Sequence, residues 1–157
     1  MSIVRHFVLA AGGTGGHMIP AHALAAELIA RGHRVALITD ERGAKIPGLF
    51  KGAQIHVLPA GRLTKNPGSW LPGARAIRSG RAMAMRLYES FEPSAVIGFG
   101  GYPAFPALLA ALPGGIPTAI HEQNAVLGRV NRLIAGRVNA IAISYPRVAR
   151  LKPGWAE

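Results

Sequence analysis

The sequence predicts an α/β fold: a doubly wound parallel sheet of about six strands with helices on both faces. Three observations predict it. Short runs of Val, Ile, Leu and Ala alternate along the chain with longer segments of helical periodicity. The first run, Phe7-Val8-Leu9-Ala10-Ala11, leads into Gly12-Gly13-Thr14-Gly15-Gly16-His17, and a helical segment follows. A second glycine loop, Gly98-Phe99-Gly100-Gly101-Tyr102-Pro103, closes a later run of the same kind. Strand, glycine loop and helix in succession form the Rossmann-like cradle for a phosphate. Glycines remove the Cβ atoms that keep backbone N–H groups off a ligand, and the helix start adds unpaired donors and the positive end of its dipole. In a dinucleotide fingerprint the third glycine falls at Met18, and no Gly-Lys-Ser/Thr completes a P-loop. The loop therefore points to an anion more than to a nicotinamide cofactor. A tight turn without a ligand needs fewer glycines.

Taken in order, residues 3–11 form a first strand buried on both faces. Residues 21–30 form a helix, because Ala21, Leu24, Ala25 and Leu28 recur on one face while Glu27 lies off it. Gly32 closes that helix. Residues 35–38 are the second strand, and Asp40 at its end either holds a ribose or caps the next helix. Residues 54–58 are the third strand, and residues 59–72 are a long loop carrying Arg62, Lys65, Trp70 and Leu71. Residues 73–91 form a helix with Ile77, Gly80, Ala84, Leu87 and Phe91 toward the core. Arg75, Arg78 and Arg86 project together on the opposite side. Residues 95–97 are the fourth strand and 104–112 the next helix. Residues 116–120 are the fifth strand, which ends in His121-Glu122-Gln123-Asn124; a helix over 127–135 and a sixth strand over 138–143 follow. From Ser144 the chain reads as a tail.

Composition narrows the function. Half of the 157 residues are hydrophobic, which suits a folded domain with a sizeable core. There is no apolar run of membrane-span length and no signal-peptide pattern, so the plain expectation is the cytoplasm. With no cysteine, disulfides and thiolate chemistry are excluded. The formal net charge is +11, and nine Lys or Arg but no acidic residue fall between Arg42 and Tyr88. Such a surface suits nucleic acid, an anionic membrane or phosphorylated substrates, or it is a solvated face balanced elsewhere in a longer polypeptide. A basic helix face beside Trp70 and Leu71 offers a docking surface for an anionic bilayer.

A six-strand sheet of this kind takes the order 3-2-1-4-5-6, which puts the two glycine loops side by side at the switch point and His121 to Asn124 next to them. His17 is then either a general base or a capping group; the helix dipole favours its neutral form. Glu122 is a base or, preferably, an organiser of its loop. Gln123 and Asn124 suit sugar hydroxyls or brace the loop. His6, His22, His33 and His56 show no metal-ligand spacing.

Together, Gly12-Gly13-Thr14-Gly15-Gly16-His17, Gly98-Phe99-Gly100-Gly101-Tyr102 and His121-Glu122-Gln123-Asn124 resemble the N-terminal-domain signatures of the MurG family. These are bacterial N-acetylglucosaminyltransferases of peptidoglycan synthesis. The resemblance covers nearly the whole chain, in order and spacing. It implies a GT-B enzyme that moves N-acetylglucosamine from its UDP donor to lipid I with inversion, at the cytoplasmic face of the bacterial inner membrane. It implies no cofactor, no protein-bound metal and no nucleic-acid partner. It assigns the catalytic base to His17 and donor-sugar contacts to Thr14, Gly15, Gly16 and Asn124. The acceptor diphosphate and sugar fall to Gly13, Gly100, Gly101, Tyr102, His121, Glu122 and Gln123, and membrane docking to Trp70, Leu71, Arg75, Arg78 and Arg86. Residues 1–143 are then the acceptor-binding domain and 144–157 the start of a linker to a nucleotide-sugar-binding domain. The expectation is that this chain alone is inactive. The competing readings are an NAD(P)-binding oxidoreductase domain using Asp40, and a basic membrane- or nucleic-acid-binding module; the second explains the charge but not the three loops.

Overall fold

A computed structural model describes residues 3–59 and 66–155. Its elements are β1 (His6–Ala10), α1 (Gly15–Ala30), β2 (Arg34–Thr39), α2 (Glu41–Ala44), β3 (Gln54–Val57), a 3₁₀ turn (Pro67–Ser69), α3 (Trp70–Phe91), β4 (Ala95–Gly98), α4 (Ala104–Ala111), β5 (Thr118–Glu122), α5 (Arg129–Ile134) and β6 (Ala140–Ile143). The strands form one sheet in the order β3-β2-β1-β4-β5-β6, and every pairing is parallel. Phe7 lies opposite both Val35 and Ala95, which puts the carboxyl ends of β1, β2 and β4 on one edge. The expected strand order, that of the commonest six-strand doubly wound sheet, is the observed one.

The period of two along the strands separates two cores. Val8, Ala10, Ala36, Ile38, Val96 and Ile120 join one cluster with residues of α3, α4 and α5. Leu9, Ala11, Val35 and Leu37 join the other with Met18, Ala21 and Ala25 of α1. The basic helix α3 buries Gly80, Ala84, Tyr88 and Phe91, and a Cβ on Gly80 would lie 3.2 Å from both Leu58 and Pro106. That glycine lets α3 approach closely the face formed with α4.

Several boundaries differ from expectation, each for a physical reason. Helix α1 starts at Gly15, not at residue 21, because the Thr14 carbonyl accepts from the N–H of His17 (3.1 Å) and Met18 (3.0 Å). The glycine loop is therefore partly the first turn of the helix. Pro20 sits inside that helix; the residue four before it is Gly16, which has no Cβ to crowd the ring further. Trp70 and Leu71 are not in a loop but open α3, since Pro72 falls in the first turn, where a missing N–H costs nothing. The turn before it is set by Asn66, whose side-chain oxygen accepts from Gly68 N–H (3.0 Å). Arg62 and Lys65 lie outside the described residues. His121 and Glu122 are the last residues of β5 instead of the loop beyond it, and their partners on β6 are Ala142 and Ile143. Beyond β6 the chain does not trail away. Ala149 exchanges backbone hydrogen bonds with Ala125 and Leu127, Val148 is buried, and Trp155 packs on Gly136.

Candidate functional site

The loops after β1, β4 and β5 meet at the carboxyl edge of the sheet. Gly12 N–H donates to the Gly100 carbonyl at 3.0 Å. A Cβ on Gly12 would stand 2.9 Å from Gly101 Cα, and Gly100 and Gly101 have φ of +94° and +77°. The two glycine loops thus lock together backbone to backbone, a contact no other residue permits. At Gly15 and Gly16 a Cβ would meet nothing within 4 Å. Packing does not demand glycine there, and the exposed first-turn donors face outward; Thr14 makes no side-chain cap to them.

Thr14 Oγ1 bonds His17 Nδ1 instead, at 2.9 Å. With the proton on Nδ1, that N–H donates to Thr14 and Nε2 keeps a free lone pair beside Gly100, whose added Cβ would lie 2.9 Å from it. Burial pushes the His17 pKa below its ordinary value, against the pull of Glu122, the Gly12 backbone and Asp40. A neutral imidazole with a free nitrogen at neutral pH suits a proton acceptor.

Asp40 is a cap. Its carboxylate accepts from Gly43 N–H (2.9 Å) at the start of α2 and from Gly13 N–H (3.2 Å) in the glycine loop. Burial opposes ionisation, but these two bonds and Arg42, 3.6 Å away, hold its pKa below the usual value. It braces the loop, and a ribose would have to displace both backbone donors.

Glu122 is 1% exposed, and four donors surround its carboxylate. Oε1 accepts from Asn124 N–H (3.0 Å) and Asn124 Nδ2 (2.9 Å). Oε2 accepts from Gly128 N–H (2.8 Å) and Asn131 Nδ2 (2.9 Å). Burial alone would raise its pKa; the bonds from Gly128, Asn131 and Asn124 outweigh burial and lower it. The carboxylate is saturated and permanently ionised at neutral pH, which fits an organiser and leaves little for a proton-transfer role. Asn131 also donates to the His121 carbonyl (3.1 Å), so α5 is tied to the end of β5.

A cleft of about 290 Å³ brings together His17, Gly100, Gly101, Glu122 and Asn124 from the expected set. Gly128, Arg129 and Asn131 also line it, and sequence reasoning missed all three. The only signal was an asparagine among the apolar positions of a short helix. Tyr102, His121 and Gln123 do not line this cleft. Tyr102 Oη, His121 Nδ1 and Gln123 Oε1 are nevertheless buried polar atoms to which no described residue offers a hydrogen bond, a condition that a polar ligand or water relieves. Burial raises the Tyr102 pKa, so its phenol stays a donor. Trp70, Leu71, Arg75, Arg78 and Arg86 are exposed on α3, with Trp70 at 57% and Leu71 at 62%. No helix among the described residues is long and apolar enough to cross a membrane. Among those residues, no three His, Asp or Glu side chains gather where they could share a metal ion.

Comparison with known proteins shows the family and the fold. Residues 7–143 match the glycosyltransferase family 28 N-terminal domain. A protein of Erythrobacter litoralis, a UDP-N-acetylglucosamine--N-acetylmuramyl-(pentapeptide) pyrophosphoryl-undecaprenol N-acetylglucosamine transferase, is 69% identical over 153 residues, 98% of this chain and 38% of that protein. The transferase of the same name from Novosphingobium aromaticivorans is 70% identical over 152 residues, 97% of this chain and 39% of that protein. The crystal structure of Acinetobacter baumannii MurG superposes with a TM-score of 0.81 at 32% identity, over 94% of this chain and 44% of that one. The chain thus spans well under half the length of these relatives.

Proposed function

The chain belongs to the glycosyltransferase family 28 N-terminal domain family, and on that premise we propose that it is the acceptor-holding half of an inverting hexosyltransferase of peptidoglycan synthesis. The donor is UDP-N-acetylglucosamine and the acceptor a muramyl-pentapeptide carried on pyrophosphoryl-undecaprenol, the substrates named in its relatives. The observation that carries the reading is the meeting of His17, the second glycine loop and Asn124 in one cleft at the carboxyl edge of the sheet.

A sugar hydroxyl is a weak nucleophile. In this reading the free nitrogen of His17 takes its proton as the oxygen attacks the anomeric carbon of the donor, from the face opposite the departing UDP. The leaving diphosphate gathers negative charge, and fixed N–H donors stabilise it without reorganising. Thr14, Gly15, Gly16 and Asn124 face the donor sugar. Gly13, Gly100, Gly101, Tyr102, His121 and Gln123 serve the acceptor's sugar and diphosphate. Glu122, whose oxygens are all engaged, acts through Asn124 as a positioning residue. Helix α3 docks on the anionic inner-membrane surface, where its exposed Trp70 and Leu71 meet the interface and Arg75, Arg78 and Arg86 meet phosphates. Residues 1–143 form this domain, the segment 144–155 packs back on it, and a further domain holds the nucleotide.

The test is a titration of this chain at fixed moderate salt with a short-chain lipid I analogue and, separately, with UDP-N-acetylglucosamine. The analogue binds and the donor binds weakly; Gly15→Val, whose new side chain enters open space on the donor side, removes the donor binding and leaves that of the analogue. Donor binding without analogue binding refutes the assignment of the acceptor to this half.

A further inference from the structure

A second cleft, larger than the one at the glycine loops, lies elsewhere on the domain. It measures about 750 Å³, lies between α5 and the segment 150–155, and is lined by Arg129, Arg132, Arg150, Lys152, Leu133 and Trp155 among others. No acidic residue lines it. None of its four cations makes an ion pair with a carboxylate among the described residues. Like charges gathered without counter-ions repel one another, an arrangement that a bound anion relieves. The remaining wall is apolar: Leu133 is 64% exposed, and Lys152 lies over the Trp155 ring at 5.2 Å, presenting the indole beside a charge. Cations beside an open hydrocarbon surface call for a ligand that is anionic at one end and greasy at the other. A volume of this size admits a single small molecule. Arg129 lines both this cleft and the one holding His17 and Asn124, so one extended ligand can occupy both.

We propose that the cleft between α5 and the segment 150–155 binds an isoprenoid diphosphate. Arg129, Arg132, Arg150 and Lys152 hold the phosphate nearest the tail, for which guanidinium groups have matching geometry, and Leu133 and Trp155 receive the first isoprene units. This deepens the proposed function and takes the ligand class from it. It places the tail end of the acceptor's diphosphate on α5, outside the glycine loops.

The experiment uses the fluorescence of Trp155 in the whole chain carrying Trp70→Phe, which leaves Trp155 as the only tryptophan. The probes, at one ionic strength, are farnesyl diphosphate below its micellar concentration, inorganic pyrophosphate, farnesol, and phosphatidylglycerol vesicles. Farnesyl diphosphate saturates the signal, and pyrophosphate and farnesol each bind at least roughly tenfold more weakly, since each lacks one half of the contacts. The double variant Arg132→Glu, Lys152→Glu loses the binding while its circular dichroism is unchanged. Equal affinity for pyrophosphate overturns the proposal in favour of a plain anion cluster. A response to vesicles alone overturns it in favour of a membrane surface, and unaltered binding by the double variant puts the site elsewhere. Because farnesyl diphosphate carries no sugar, its binding stands or falls separately from recognition of the lipid I analogue at the glycine loops.

Discussion

Glu122→Gln changes one oxygen to an amide nitrogen at constant volume, so it isolates the hydrogen bonding at the end of β5. Each carboxylate oxygen accepts two N–H donors, at 2.8 to 3.0 Å. Whichever way the glutamine amide turns, its NH₂ faces two of those donors: the backbone and side chain of Asn124, or Gly128 and Asn131. Two bonds to a charged acceptor are lost and buried donors are left facing one another. At about 1.5–3 kcal/mol net for each such bond, the expected loss is about 3–6 kcal/mol, a large part of the roughly 5–15 kcal/mol that holds a domain together. Thermal unfolding followed by circular dichroism should show a midpoint lower by roughly 6–24 °C. The pH dependence supplies a second readout. The native carboxylate has a lowered pKa, so its contribution is present above the ordinary value of 4.5 and is lost as pH falls through that value toward the native one. The wild type therefore loses stability on acidification below about pH 4.5 more steeply than the variant does. A midpoint within about 3 °C of wild type, or identical acid limbs, would refute the claim that this carboxylate frames the site.

Further consequences follow from the same geometry. Gly101→Ala places a Cβ 2.6 Å from Gly12 Cα at a φ of +77°, so it should cost at least about 2 kcal/mol. Gly15→Ala meets open space in a helix and should be neutral or stabilising by roughly 0.5 kcal/mol; equal losses in urea unfolding would contradict the locked-loop account. His17 should titrate below its ordinary value of 6.5 in a nitrogen-15 NMR experiment, because burial disfavours the imidazolium. Glu122→Gln should lower it further by removing a charge that raises it, and an upward shift would show that Glu122 does not act on His17. Because the native pKa is the lower one, this histidine's contribution to stability is complete above the ordinary value and declines as pH falls below it. Replacing Arg75, Arg78 and Arg86 together by Glu should reduce co-sedimentation with anionic vesicles in a salt-dependent way; unchanged pelleting removes α3 as the docking face.

The sequence by itself determined the architecture. Apolar runs alternating with helical segments admit essentially one hand of crossover, and the commonest strand order for such a sheet then brought together three loops distant along the chain. It also marked His17, Gly100, Gly101 and Asn124, because glycine clusters and polar residues at strand ends stand out locally. Only the tertiary structure decided what those residues touch. Gly15 and Gly16 read as loop because glycine is a poor helix former, yet the Thr14 carbonyl starts the helix there. Pro72 read as a boundary, yet it sits in the first turn of α3, which needs no N–H from it. Asp40 read equally as ribose ligand or cap until the Gly13 and Gly43 amides were seen on its carboxylate. Gly128 carries no local mark and Asn131 only its polarity in a short helix, since their importance lies in reaching the buried carboxylate of Glu122 across the turn between β5 and α5. Periodicity and glycine are written in local chemistry and can be read from it. The partner of a hydrogen bond depends on where the crossover returns the chain, and only the folded molecule specifies that.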